Sequence, residues 1–142
     1  MSINLQLEDL YIEDKAEREK AESEEEIEHL MVNTKARLDK LRTILPTLDE
    51  SEIWNCHYVA YRLQHGDGTP DFALAHEYAK KAVDMGSRVT KWLYAATLDR
   101  LLISQGKLQK FGTQYQVIDG KKVYAPTDGT IDESVRAEYG IM

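Results

Sequence analysis

The sequence predicts a mainly α fold: a single-domain helical bundle of about five helices, followed by one β-hairpin and a short terminal helix. Three observations carry that expectation. Apolar residues recur at helical spacing from Leu5 to Gln105, and each run is bounded by a capping pattern, a proline or a glycine. Beyond Gly106 the period shortens to that of strands, around the turn dipeptide Asp119-Gly120.

The first helix runs from Leu5 to about Glu22, with Leu7, Leu10, Tyr11 and Ala21 at helical spacing. Ser23 with Glu26 makes a capping-box pattern, which opens a second helix carrying Ile27, Leu30, Met31, Leu38, Leu41 and Leu45 on one face until Pro46 stops it. Thr47 and Glu50 repeat the signature ahead of a third helix containing Ile53, Trp54, Cys56, Ala60 and Leu63, with Gly66 as its stop. Thr69 and Pro70 supply a cap and a first-turn proline for a fourth helix through Phe72, Ala75, Tyr78, Ala79 and Ala82, ending at Gly86. Ser87 caps a fifth, over Val89 to Gln105. Tyr115–Ile118 and Lys121–Ala125 then flank Asp119-Gly120, which accepts the positive φ of a two-residue hairpin turn. Thr130 and Glu133 open the terminal helix, which ends near Gly140.

These elements divide the one domain, 1–142, into an N-terminal helical hairpin (1–46), a three-helix core (47–106) and a loop, hairpin and short helix (107–142). His76–Gly86 looks like one helix of a tetratricopeptide or Sel1-type repeat, but no second copy follows at a fixed period, which argues against a solenoid.

With 142 residues, 42% of them hydrophobic, the chain is long enough for one real core and too short for two domains. A net charge of -7 argues against nucleic-acid and anionic-membrane partners. The acidic excess sits in the first fifty residues, where 14 Asp and Glu face 7 Lys and Arg, peaking at Glu24-Glu25-Glu26. The single cysteine, Cys56, reads as a packing residue in a reducing compartment. Met1–Asp9 lacks the basic and apolar regions of a secretory signal, and no apolar run approaches the ~18 residues of a membrane span. A cytoplasmic protein is expected.

Function is sought where polar residues interrupt apolar stripes. On the first helix Leu7, Leu10, Tyr11, Asp14, Arg18 and Ala21 share a face, so Asp14 and Arg18 form an i,i+4 pair aimed inward. On the second, Thr34 falls inside the stripe and Arg37 lies at its edge. On the third, His57 and Gln64 share a face with Ile53 and Ala60, and His65 lies at the exit. On the fifth, Asp99 is expected among Trp92, Ala95, Ala96, Leu102 and Ile103. A buried carboxylate must be paired or costs several kcal/mol of solvation. Two arrangements answer that demand: an interior ion-pair network that fixes how helices meet, or a cleft whose arginines bind an anion bidentately.

Phe111-Gly-Thr-Gln114 is a second candidate, since Gly112 permits close approach and Thr113 and Gln114 can present a hydroxyl and an amide. No phosphate-binding glycine loop, dinucleotide fingerprint, CxxC pair or HExxH pattern occurs, so neither a metal nor a cofactor is expected; His65 with Asp67 makes at most part of a weak metal site. His29 and His76 read as surface residues.

The chain also resembles a known family. Asp14 and Arg18, Asn33-Thr-Lys-Ala-Arg37-Leu, Gln64-His65-Gly66-Asp67, Leu98-Asp99-Arg100, Gly106-Lys-Leu-Gln109-Lys-Phe-Gly112-Thr113-Gln114, and Pro126, Asp132 and Arg136 together look like the motifs of the bacterial domain-of-unknown-function family 6624. Two departures stand out: Pro46-Thr-Leu-Asp-Glu50 replaces the family's Gly-Trp-Pro loop, and Phe111 its usual Tyr. The resemblance implies a shared helical fold and shared polar positions, with no settled activity.

The leading functional expectation is a cofactor-independent enzyme, a hydrolase, lyase or cyclase, acting on a small anionic or polar substrate. Arg18, Arg37 and Arg100 would hold a carboxylate or phosphate beside Asp14, Asp99 or His65 would act as acid or base, and Thr113 and Gln114 would orient the substrate. The competing expectation is a protein-interaction module, an adaptor, immunity or inhibitor protein, that meets a basic partner through the Glu22–Glu28 face.

Overall fold

The computed structural model describes residues 3–141; Met1 and Ser2, part of the stretch read for a signal, lie outside them, as does Met142. Six helices and one hairpin follow in the order α1 (Leu5–Lys20), α2 (Glu24–Ile44), a 3-10 turn (Leu45–Thr47), α3 (Ile53–Leu63), α4 (Thr69–Asp84), α5 (Lys91–Ser104), β1 (Tyr115–Ile118), β2 (Lys121–Tyr124) and α6 (Glu133–Glu138). No helix among the described residues is long and apolar enough to cross a membrane.

The ends of these helices are set by local chemistry. Ser23 and Glu26 form the reciprocal capping box expected of them, each side chain satisfying the other's backbone N–H. Four other caps sit one to five residues away from the sequence expectation. Glu52, not Thr47, accepts from the start of α3, while the Thr47 hydroxyl donates backwards to the carbonyl of Ile44. Gly68 caps α4, so that Thr69 and Pro70 are already helical. Asp132, not Thr130, accepts from Val135 at α6, because Thr130 is held by Asp128 in a tight turn. Ser87 precedes α5 but leaves the cap to Thr90, whose backbone N–H it accepts. Each displaced cap has another oxygen acceptor within a few residues, and spacing alone does not choose between them.

The bundle is organised around α3. Every residue from Asn55 to Ala60 is buried, as expected of a helix packed on several sides. It packs against α4, which packs against α5, and α1 lies across it. Asn4 ties α1 down: its side chain caps Leu7, and its N–H donates to Asn55 at 2.8 Å. The main core joins Leu7, Leu10, Leu38, Leu41, Val59, Leu63, Ala79 and Leu93. Cys56 is fully buried there, its thiol held by the carbonyl of Glu50 and pushed up to about 11 by burial.

A smaller core fastens the C-terminal segment to α5 through Ala95, Phe111 and Ile141, with Tyr94, Ile131 and Tyr139 around them. The hairpin is antiparallel, with Tyr115 opposite Tyr124 and Ile118 opposite Lys121, and both turn residues take positive φ, Asp119 at 53° and Gly120 at 76°. Both strands are exposed along their whole length. On α5, the stripe expected around Asp99 is rotated: Ala95 and Ala96 are buried, but Trp92 and Ile103 face outward.

Candidate functional site

Asp14 projects from α1 into the junction of α1, α2 and α3 and is fully buried. Four basic side chains converge on its carboxylate. Arg18 Nε donates at 2.8 Å and Arg37 Nη1 at 3.1 Å, from α1 and α2. Arg62 Nη1, from α3, stands 2.9 Å away as an ion pair without the alignment of a hydrogen bond. His65 Nδ1 is 3.7 Å away. Burial alone would raise the Asp14 pKa, but Arg62 and Arg18 outweigh it and hold the carboxyl below its ordinary value. Thr34 accepts from Arg18 through its hydroxyl and from Arg62 through its carbonyl, and Glu17 accepts from Arg37 at 2.8 Å.

The junction carries more positive charge than it neutralises. Arg18, Arg37 and Arg62 face only Asp14 and Glu17, and Arg100 of α5 adds a further cation without a salt-bridge partner among the described residues. Arg100 Nε is buried and unpaired, as is Arg62 Nε. Burial, then the neighbouring Arg18, lowers the Arg100 pKa from its ordinary value. His65 is held near a pKa of about 3 by burial first and by Arg18, Arg100 and Arg62, so it is neutral at physiological pH. Its ring packs edge-on to Tyr61, and its Nδ1 has no hydrogen-bond partner.

Asp99 belongs to a separate cluster. Its carboxylate accepts from the backbone N–H of Lys110, Phe111 and Thr113 and from the Thr113 hydroxyl, all between 2.7 and 2.9 Å. It is fully buried, so its lone pairs are occupied and none faces solvent. That environment assigns Asp99 to holding the 110–113 loop rather than to exchanging protons with a substrate. Gly112 takes φ +80 within the same loop, and Arg136 Nε secures its outer side through the carbonyl of Phe111.

Gln109 continues the clasp. Its fully buried amide donates to the carbonyls of Gln114 and Ala125 and accepts from the N–H of Gln114, which joins the two ends of the hairpin. Together Asp99 and Gln109 suspend β1 and β2 beside α5. Between the hairpin and the helices lies an open groove of about 530 Å³, walled by Phe72, Ile103 and Val123, with Arg100 and Gln114 as polar groups.

The structure thus distributes the expected residues over two places and a link. Asp14, Arg18, Arg37 and His65 meet at the α1–α2–α3 junction; Asp99 and Thr113 meet in the loop clasp; Arg100 and Gln114 line the groove, with Arg100 close enough to the junction to act on His65. His65 and Asp67 are not part of a metal-binding group, none of which occurs among the described residues. His76, read as a surface residue, is half-buried and meets the Thr97 hydroxyl at 3.1 Å. Arg62 was not visible in the sequence, because most of α3 is buried and an inward arginine does not stand out there. Gln109 carries no periodic signal either.

No family model matches the chain, and no curated protein or solved structure matches it.

Proposed function

We propose that the protein binds a small anionic molecule in the groove between α5 and the hairpin, with Arg100 as its anchor. One observation supports this most: Arg100 is a charged guanidinium with no carboxylate partner, its Nε is buried without an acceptor, and it borders a groove of the size that small-molecule sites have. An anion there would give the guanidinium a counter-charge and relieve the repulsion from Arg18. The Asp14 junction supplies the field, and its own carboxylate is saturated by cations.

For a cofactor-independent hydrolase, lyase or cyclase step, the proton acceptor in this proposal is His65. Its Nδ1 has no hydrogen-bond partner, and burial, with the arginine field behind it, keeps the ring neutral and weakly basic. An anion arriving beside Arg100 would offset part of that field and raise the ring's basicity. Thr113 is bound to Asp99, leaving Gln114 to orient the ligand.

The test is thermal unfolding in sodium phosphate and in sodium chloride at matched ionic strength. Phosphate is expected to raise the melting temperature of the wild type beyond chloride, and Arg100→Gln to remove that difference. Equal shifts in both salts, or a phosphate effect that survives Arg100→Gln, would overturn the proposal.

One observation favours a protein-interaction function instead. Near the start of α2, Ile27 and Met31 are 46% and 63% exposed on one face, flanked by the exposed Glu24 and Glu28. An apolar strip edged with carboxylates suits a basic amphipathic segment. Binding of a Lys/Leu helical peptide that is lost on Glu24→Lys with Glu28→Lys, and kept on Arg100→Gln, would support that function.

A further inference from the structure

The groove beside Arg100 is charged at one place only. Phe72 of α4 and Ile103 of α5 form one wall, and Val123 of β2 forms the other, on the same hairpin face as Gln116. Ile103 and Val123 are 39% and 48% exposed, more than a core position tolerates, and nothing among the described residues covers them. Tyr115 and Tyr124, the next pair along the hairpin, stand across from each other with ring centroids 5.3 Å apart. A site for a compact, fully hydrated anion such as phosphate alone would not need apolar walls. Such walls gain free energy only by covering apolar atoms of a guest.

We propose that the ligand is amphiphilic: a monoanion whose carboxylate or phosphate head meets Arg100 and Gln114, and whose apolar chain or ring lies between Ile103 and Val123. This deepens the proposed function and rests on it for the head group. The Gln114 side chain already donates to the Thr113 hydroxyl at 3.0 Å, which orients its amide from the fixed Asp99 clasp. The head group therefore meets a pre-positioned amide and a guanidinium, while the body contacts walls from a helix and a strand. Gln109 clasps the hairpin at its base, which fixes Val123 beside the helices.

The experiment is calorimetric titration of the protein with acetate, butanoate, hexanoate and octanoate. Three forms are compared: wild type, Arg100→Gln, and the double variant Ile103→Ser with Val123→Thr. The altered wall residues are partly exposed, so the double variant keeps its core; circular dichroism checks this. In the wild type, affinity is expected to rise with chain length, by up to about fourfold per methylene while the walls still cover it. Arg100→Gln is expected to weaken every acid at least about tenfold, the cost of one lost charge-assisted pair. The double variant is expected to bind acetate as the wild type does, with a flattened length dependence.

Binding of acetate through Arg100 with no gain along the series would overturn the amphiphile and leave the anion site standing. A length gain indifferent to Arg100→Gln would overturn the anchored head group. Absence of Arg100-dependent binding for every acid would overturn both.

Discussion

Asp14 and Arg62 meet as a fully buried ion pair, with Arg62 Nη1 2.9 Å from Asp14 Oδ2 and neither side chain exposed. Arg62 has no other charge to answer its own, whereas Arg18 and Arg37 keep part of their guanidinium groups in water. Removal of one partner from such a pair strands the other charge in a dry interior. Asp14→Asn is therefore expected to cost roughly 3–5 kcal/mol, read from urea unfolding. The double variant Asp14→Leu with Arg62→Met is expected to cost less than Asp14→Asn alone, since the fully buried guanidinium leaves with its partner and only the partly exposed Arg18 and Arg37 lose the carboxylate. A loss below about 1 kcal/mol for Asp14→Asn, the level of a surface pair, would contradict this.

The Asp99 clasp gives a local prediction. Asp99→Ala removes four hydrogen bonds and leaves three backbone N–H groups without acceptors, at an expected cost of at least about 2 kcal/mol. Hydrogen exchange at Lys110, Phe111 and Thr113 should accelerate before that of α3. Uniform acceleration across the bundle would instead make Asp99 part of the main core.

Acid sensitivity follows from two buried histidines. His57 is held near a pKa of about 4 by burial first and by Lys15, with its Nδ1 in contact with the Thr90 hydroxyl; His65 is held near about 3. Both folded pKa values lie below the ordinary 6.5, so the unfolded chain binds more protons between those limits, and stability falls as pH falls through that window. At pH 5 each histidine costs roughly 2 kcal/mol relative to pH 7. Asp14, whose folded pKa is lowered, adds its loss only as pH falls below the ordinary carboxylate range. His65→Gln should flatten the slope between pH 6.5 and 5 in unfolding midpoints; an unchanged slope would contradict the assignment.

Arg100 separates structural from ligand-binding roles by the sign of an effect. An arginine kept for the fold costs stability when removed, but Arg100 has no salt-bridge partner among the described residues and stands in the field of Arg18. Arg100→Gln is expected to raise the melting temperature of the ligand-free protein by roughly 2–4 °C, as relief of about 1 kcal/mol would. A fall of similar size would make Arg100 structural.

Much of this was legible in the sequence where one element faced one environment. α1 buries one face, so spacing alone turned Asp14 inward with Leu7 and Leu10, and the Thr34 and Arg37 positions on α2 followed in the same way. The Asp119-Gly120 turn was legible because few dipeptides accept two positive φ values. α3 was less legible: most of its residues are buried, and Arg62 went unseen among neighbours that are mainly inside. Asp99 was rightly read as buried, but its partners are backbone groups of residues 110–113, which side-chain patterns do not encode. The groove was invisible for a related reason: it exists between α5 and a hairpin placed there by the Gln109 amide, a contact with no periodic trace.

The most direct measurement is an NMR titration that follows arginine Nε–H resonances as sodium phosphate is added at constant ionic strength. The Arg100 Nε–H should shift saturably, while that of Arg136, already held by the carbonyl of Phe111, stays in place. An unmoved Arg100 resonance, or drift of all the arginines together, would contradict an anion site in the groove.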